Sequence, residues 1–62
     1  MPLVEIHMLR GRTAEQKREL LEAVTRAIQD SIDAPLPSIR VWIHEFEAEA
    51  YMAAGKLKSD SD

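Results

Sequence analysis

Cysteine is absent from this 62-residue sequence, which excludes disulfide bonds and cysteine-rich metal sites. The two histidines, His7 and His44, do not make a metal-ligand pattern without cysteines, so we predict no metal site. A chain this short buries only about 60% of the surface of its unfolded form, and small folds usually need disulfides, metals or partner chains. Because we predict neither disulfides nor a metal, partner chains remain, and we expect an oligomer.

Positive charge is also scarce. The sequence has 8 lysines and arginines against 11 acidic residues, and its formal net charge is −3. This balance argues against nucleic acid as a partner. No apolar run approaches the roughly 20 residues of a membrane span, and no signal peptide is recognisable. A hydrophobic fraction of 45% with 31% charged residues is typical of a globular protein. We therefore expect one soluble, cytoplasmic domain over residues 1–62, without a membrane partner.

Hydrophobic periodicity predicts a strand followed by a long helix. Pro2–Leu9 alternates with the period of two of a strand, and the Arg10-Gly11-Arg12 turn ends it. Thr13 and Gln16 then match a capping box, in which each side chain bonds the other residue's backbone N–H. The helix should run from Ala14 to about Ile32, because apolar residues recur there at helical spacing. These residues are Leu20, Leu21, Val24, Ala27, Ile28 and Ile32.

Two prolines and a second alternating segment follow the helix. Pro35 and Pro37 cannot continue a helix, and residues 38–46 (SIRVWIHEF) alternate as a second strand. Two strands joined by a long helix predict an α+β fold, a β-α-β unit with parallel strands and a right-handed crossover. Residues 47–55 predict a turn and a short C-terminal hairpin, and residues 56–62 predict a polar tail that frays.

One helix can cover only one face of a two-stranded sheet. The other face should carry Leu3, Leu9 and Trp42 beside polar groups, and no further segment of the sequence is left to cover it. Contiguous apolar surface of this kind is expected to be buried against other molecules. The sequence therefore requires neighbouring subunits without specifying their number.

The N-terminal Met1-Pro2 pair indicates a candidate catalytic base. Methionine before a small residue is removed in the cytoplasm, and Pro2 would then carry the amino group as a secondary amine. An ordinary α-amino group titrates at about 7.7–8.0, so desolvation or a nearby cation would make it a base near pH 7. The dipeptide is also a common start without functional meaning, so the rest of the chain has to decide.

Several short segments, in order and spacing, resemble the 4-oxalocrotonate tautomerase family. The resemblance covers nearly the whole chain, and its strength lies in the combination rather than in any one segment. The segments are Pro2, the Leu9-Arg10-Gly11-Arg12 turn, Thr13–Arg18 (TAEQKR), Asp33-Ala34-Pro35, Ser38-Ile39-Arg40-Val41, and Tyr51 with Gly55.

The resemblance implies a β-α-β subunit in a homohexamer, a trimer of dimers, that interconverts enol and keto forms of unsaturated 2-oxo acids without a cofactor. The small dianion 2-hydroxymuconate is the family's type substrate. Pro2 would be the base, Arg12 would hold the distal carboxylate, and Arg40 would engage the 2-oxo group with its adjacent carboxylate. Tyr51 stands where the type enzyme has phenylalanine, as an aromatic wall beside the base. Arg10 stands where many members have glutamate, which adds a positive charge next to the pocket.

Other functions compete with this interpretation. Arg12 and Arg40 could be solvated surface residues, and Tyr51 could simply pack the hairpin. A hydrating dehalogenase of the same superfamily needs a water-activating carboxylate and a second arginine, where this sequence has Ala53 and Leu9. A non-catalytic oligomeric binding module would have lost the base or the arginines, and none is missing here.

Distance along the first strand constrains how such a site can form. Pro2 and Arg12 lie at its opposite ends, about 25–30 Å apart at ~3.3 Å per residue, too far for one small diacid to touch both. If first strands pair antiparallel across a two-fold axis, Arg12 of one subunit meets Pro2 of the other. Arg40 opens the parallel strand and should lie near the Pro2 end, from its own chain or from a neighbour. We therefore expect the monomer to be inactive.

Overall fold

A computed structural model describes residues 1–60 and confirms the β-α-β arrangement. Strands β1 and β2 are parallel neighbours, and two short strands, β3 and β4, form an antiparallel C-terminal hairpin. The elements are β1 Leu3–Leu9, α1 Ala14–Ile32, β2 Arg40–Phe46, β3 Met52–Ala53 and β4 Lys56–Leu57, with 3₁₀ turns at Leu36–Ser38, Ala48–Ala50 and Lys58–Asp60.

The capping box at the start of α1 is confirmed. The Oγ1 atom of Thr13 accepts the backbone N–H of Gln16 at 3.1 Å, and the Oε1 atom of Gln16 accepts the N–H of Thr13 at 3.0 Å. These two bonds satisfy N–H groups that a helix start otherwise leaves without partners. At the other end, Asp33 adopts a left-handed conformation with φ 54°, and α1 ends at Ile32 as predicted.

The parallel register runs from Leu3 opposite Arg40 to Leu9 opposite Phe46. Helix α1 lies against one face of this sheet, where Val4, Ile6, Met8, Val41 and Ile43 are half-buried. An ion pair between Lys17 of α1 and Glu45 of β2, 3.2 Å long, fixes the helix on that face. The alternate residues of both strands point to the opposite face, called here the open face.

The single chain has almost no buried core. Within residues 1–60 only Ala34 and Ile39 are buried, whereas Leu3 is 60% and Trp42 42% exposed on the open face. The chain is a slab of 43 × 24 × 14 Å with a radius of gyration of 14.7 Å. A compact domain of this length would have a radius of roughly 10–11 Å. The structure thus agrees with the prediction that other chains complete the fold.

Three boundaries differ from the sequence prediction. The first strand begins at Leu3 rather than Pro2. The second strand begins at Arg40 rather than residue 38, because Leu36–Ser38 closes a 3₁₀ turn in which the N–H of Ile39 donates to the Leu36 carbonyl. The prediction of a fraying tail is wrong for residues 56–60, because Lys56–Leu57 forms β4 and the backbone continues into a 3₁₀ turn. Residues 61–62 of that tail lie outside the described residues.

The C-terminal hairpin explains why the tail is ordered. Ala54 and Gly55 both have positive φ, at 55° and 79°, which is the requirement of the two-residue turn that matches strand twist. The N–H of Lys58 donates to the carbonyl of Tyr51 at 2.8 Å. Backbone pairing of this kind does not depend on apolar side chains, so polarity alone was a poor guide to fraying.

Candidate active site

One end of the sheet brings two of the predicted site residues together. The backbone N–H of Arg40 donates to the carbonyl of Pro2 at 3.1 Å, which extends the strand pairing by one residue. The expectation that Arg40 lies near Pro2 is therefore confirmed. In this arrangement a positive guanidinium and the start of the chain occupy the same corner of the molecule.

The guanidinium of Arg40 is held by carbonyl groups of the preceding turn. Its Nη1 atom donates to the carbonyl of Pro37 at 2.6 Å and to that of Ile39 at 3.3 Å. Within residues 1–60 the hydrogen bonds of this side chain use Nη1 only, and arginine carries five N–H donors. The remaining donors, on Nε and Nη2, are therefore available for a carboxylate or a 2-oxo group.

The opposite end of the sheet carries the other arginines. The N–H of Arg10 donates to the carbonyl of Phe46 at 2.9 Å, and its side chain is ion-paired with Glu47. Gly11 has a φ of 143°, which L side chains rarely adopt, so the turn is built around glycine. Arg12 lines a cavity of about 340 Å³ whose other walls are Met8, Leu9, Arg10 and Gly11. A smaller cavity, of about 190 Å³, lies on its helix side.

Tyr51 lies at the same end as Arg12. Its ring stacks on Phe46 with centroids 5.1 Å apart, and Phe46 is opposite Leu9 in the register. The six residues of β1 that separate this end from Leu3 span about 20 Å at ~3.3 Å per residue. The single chain thus places Pro2 beside Arg40 and puts Arg12 and Tyr51 at the opposite end of the sheet, so it does not bring the two pairs together.

A polar cluster occupies the middle of the open face, and sequence reasoning did not find it. The Nδ1 atom of His44 lies 3.2 Å from the Oε2 atom of Glu5. His7 is directly opposite His44 in the strand register. The hydrogen bond from His44 lowers the pKa of the Glu5 carboxyl below its ordinary value, and the charge of His7 acts in the same direction. This carboxylate is therefore ionised at neutral pH. Only the strand register reveals the cluster, because Glu5 and His44 are far apart in sequence.

Comparison with known proteins shows where this chain belongs. Residues 2–61 match the family model described as tautomerase enzyme. The 2-hydroxymuconate tautomerase of Bacillus subtilis (strain 168) is 45% identical over 62 residues, which cover 100% of both chains. A crystal structure of a homologue of 4-oxalocrotonate tautomerase matches with a TM-score of 0.94 and 44% identity, covering 98% of this chain and 100% of that one.

A further structural relative is an assembly of several chains. It is a heterohexamer 4-oxalocrotonate tautomerase from Chloroflexus aurantiacus J-10-fl, with a TM-score of 0.91, 35% identity and 97% of each chain covered. The fold, the paired strand ends and these matches define the protein as an enzyme of the isomerase class. The chain belongs to the tautomerase family. Within residues 1–60 the helix is too polar to cross a membrane.

Proposed function

We propose that this enzyme converts 2-hydroxymuconate, or a close unsaturated 2-oxo acid, between enol and keto forms, with Pro2 as the general base and no cofactor. Two observations support the substrate class. Several relatives, including the one from Bacillus subtilis, are 2-hydroxymuconate tautomerases. The chain also presents Arg12 and Arg40, and two guanidinium groups suit a substrate with two carboxylates.

The reaction needs one group that accepts and returns a proton. With Met1 removed, the Pro2 nitrogen has a lone pair that takes the proton of the substrate's hydroxyl group. The O–H bond breaks, its electrons form the carbonyl, and the conjugated π electrons move toward a distant carbon. The same nitrogen then delivers the proton to that carbon. One residue with a pKa close to the working pH is sufficient for both steps.

Arg40 has the position needed to assist at the reacting end. Its backbone pairs with Pro2, and the donors on Nε and Nη2 are available for the 2-oxo oxygen and the adjacent carboxylate. Negative charge develops on that oxygen during proton transfer, and a fixed guanidinium stabilises it. The same positive charge disfavours the ammonium form of Pro2 and lowers the pKa of this amine.

Arg12 has to come from another chain. It lies at the far end of β1, about 20 Å beyond Leu3 at ~3.3 Å per residue, whereas the substrate is a small diacid. Antiparallel pairing of two β1 strands across a two-fold axis places Arg12 and Tyr51 of one subunit beside Pro2 and Arg40 of the other. Exposed Leu3 and Trp42 on the open face favour further association, and a trimer of such dimers is the assembly we propose.

The adjacency of Arg40 and Pro2 is the observation that carries this proposal, and a pH–rate profile tests it. Mass spectrometry first establishes that Met1 is gone. The value of kcat/KM for 2-hydroxymuconate should then rise with pH as the Pro2 amine loses its proton. The midpoint should lie below the ordinary α-amino range of about 7.7–8.0, because cationic neighbours lower this pKa.

Two outcomes would contradict the proposal. A flat profile between pH 5 and 9 would remove the amine from the mechanism, because the activity would not follow its titration. If chloride were released from 3-chloroacrylate as fast as 2-hydroxymuconate is ketonised, the enzyme would be a dehalogenase rather than a tautomerase. Ala53, which supplies no carboxylate to activate water, leads us to expect only slow chloride release.

A further inference from the structure

Three side chains that metal ions favour converge on the open face. The register sets His7 directly beside His44, and Glu5 lies on the same face of β1, two residues before His7. The two imidazole rings stack with their centroids 5.5 Å apart. The Nδ1 atom of His44 lies 3.2 Å from Oε2 of Glu5, and the Nε2 atom of His7 lies 3.7 Å from its Oε1. One ligand atom from each residue lies within 4.8 Å of the others.

We propose that Glu5, His7 and His44 form a binding site for a divalent transition-metal ion of the Zn²⁺ type. Imidazole nitrogen and carboxylate oxygen bind Zn²⁺ at about 2.0–2.2 Å, and two histidines with one glutamate are a ligand set that zinc enzymes use. The fourth position of the tetrahedron is open to water or to a ligand of a neighbouring subunit. Sequence spacing did not predict this site, because β1 and β2 supply its ligands from either side of α1.

The geometry requires only a small rearrangement. Donors at these bond lengths lie about 3.3–3.5 Å apart in a tetrahedron. The two measured donor pairs, at 3.2 and 3.7 Å, are already close to that spacing. The side chains of His7 and His44 are 61% and 66% exposed in the single chain, which leaves them room for this adjustment. Their backbones are fixed, because paired strands hold neighbouring residues about 4.8 Å apart.

The site is separate from the proposed active site. Its nearest ligand, Glu5, is three residues from Pro2, about 10 Å along an extended strand at ~3.3 Å per residue, and His7 is about 16 Å away. Metal binding here therefore does not depend on the chemistry of Pro2, and its measurement needs no substrate. Because the cluster lies on the face that lacks a cover in the single chain, a bound ion would be positioned to bridge or stiffen an interface between subunits.

Equilibrium dialysis against Zn²⁺ tests the site directly. The full-length assembly, free of a histidine tag and stripped with a chelator, should bind about one Zn²⁺ per chain. Glu5→Gln, His7→Asn and His44→Asn should each weaken binding at least about tenfold, since losing even an outer-shell partner has that effect. Glu19→Gln is the matched control, because it removes an exposed carboxylate of α1 and should bind like the wild type.

Fluorescence of Trp42 is a second measurement of metal binding. It would not respond to metal ions if Glu5, His7 and His44 had only a structural role. Trp42 is the only tryptophan and lies opposite Glu5 in the register. Cu²⁺ binds nitrogen ligands more strongly than its neighbours in the first row and quenches nearby indoles. Quenching should saturate at one Cu²⁺ per chain, reverse on addition of a chelator, and disappear in the triple variant Glu5→Gln/His7→Asn/His44→Asn.

Gel filtration and circular dichroism show whether each variant is folded and assembled. Glu5→Gln preserves side-chain size, so it keeps the test valid if a histidine variant fails to fold. Failure of the wild type to bind Zn²⁺, or undiminished binding by folded Glu5→Gln and by the triple variant, would overturn the proposal.

Discussion

At the residue scale, the proposed chemistry depends on a free amine at Pro2. Pro2→Ala leaves a primary amine in a looser position, so proton transfer should be impaired while the fold is kept. Loss of a positioned general base lowers kcat/KM by about 10²–10⁴-fold, and we expect a loss in this range with 2-hydroxymuconate. The variant must be shown by mass to lack Met1 and by gel filtration to assemble. Unchanged kcat/KM in such a protein would rule out the proline mechanism.

The two arginines should have different kinetic signatures. Arg12 is proposed to hold a carboxylate remote from the reacting atoms, so Arg12→Ala should mainly raise KM. Arg40 is proposed to stabilise charge that develops in the transition state, so Arg40→Ala should also lower kcat, by about 10²–10³-fold. Steady-state kinetics with 2-hydroxymuconate separate the two effects.

Arg10→Ala is a matched control for loss of positive charge in the same turn. The Arg10 side chain is ion-paired with Glu47, so its removal should change KM less than removal of Arg12. An equal rise of KM in both variants would show that the turn provides only general positive charge rather than a specific carboxylate contact.

At the scale of single elements, the start of α1 links stability to the site. Thr13→Ala breaks the capping box next to Arg12 and should lower the free energy of unfolding by about 1 kcal/mol. Denaturant unfolding at fixed protein concentration measures this, with Thr13→Ser as the control that keeps the hydroxyl. If both variants lost equal stability, the cap hydrogen bond would not be the cause.

Local patterns were sufficient to predict most elements. The alternation of β1, the capping box at Thr13 and the prolines after Asp33 each act within a few residues, and the structure confirms the β-α-β order they indicate. The hairpin beyond Gly55 was only partly predicted. Its strands are two residues long, and its backbone bonds leave little mark on side-chain composition.

The site was harder to predict, because it depends on contacts between distant parts of the sequence. The position of Arg40 beside Pro2 followed from parallel pairing and was confirmed. The cluster of Glu5, His7 and His44 was missed, because only the exact register of β1 and β2 places these side chains together. A one-residue slip in that register would send His44 to the helix face.

At the scale of the whole molecule, the single chain is an open slab rather than a finished fold. Its radius of gyration of 14.7 Å, the exposure of Leu3 and Trp42, and the separation of Arg12 from Pro2 have a common explanation. Each is expected of a subunit that completes both its core and its active site by association. We therefore propose that one active site takes Pro2 and Arg12 from different chains.

Mixing of variant subunits tests whether the site is shared between chains. Pro2→Ala and Arg12→Ala chains are unfolded together in equal amounts, refolded, and assayed at low substrate concentration, where each variant alone is nearly inactive. If sites are shared between two chains, random pairing restores about a quarter of the wild-type sites, because half of the dimers are mixed and each has one intact site. Recovery of about a quarter of the wild-type kcat/KM is the predicted result. No recovery from fully assembled mixtures would show that each site is built within a single chain.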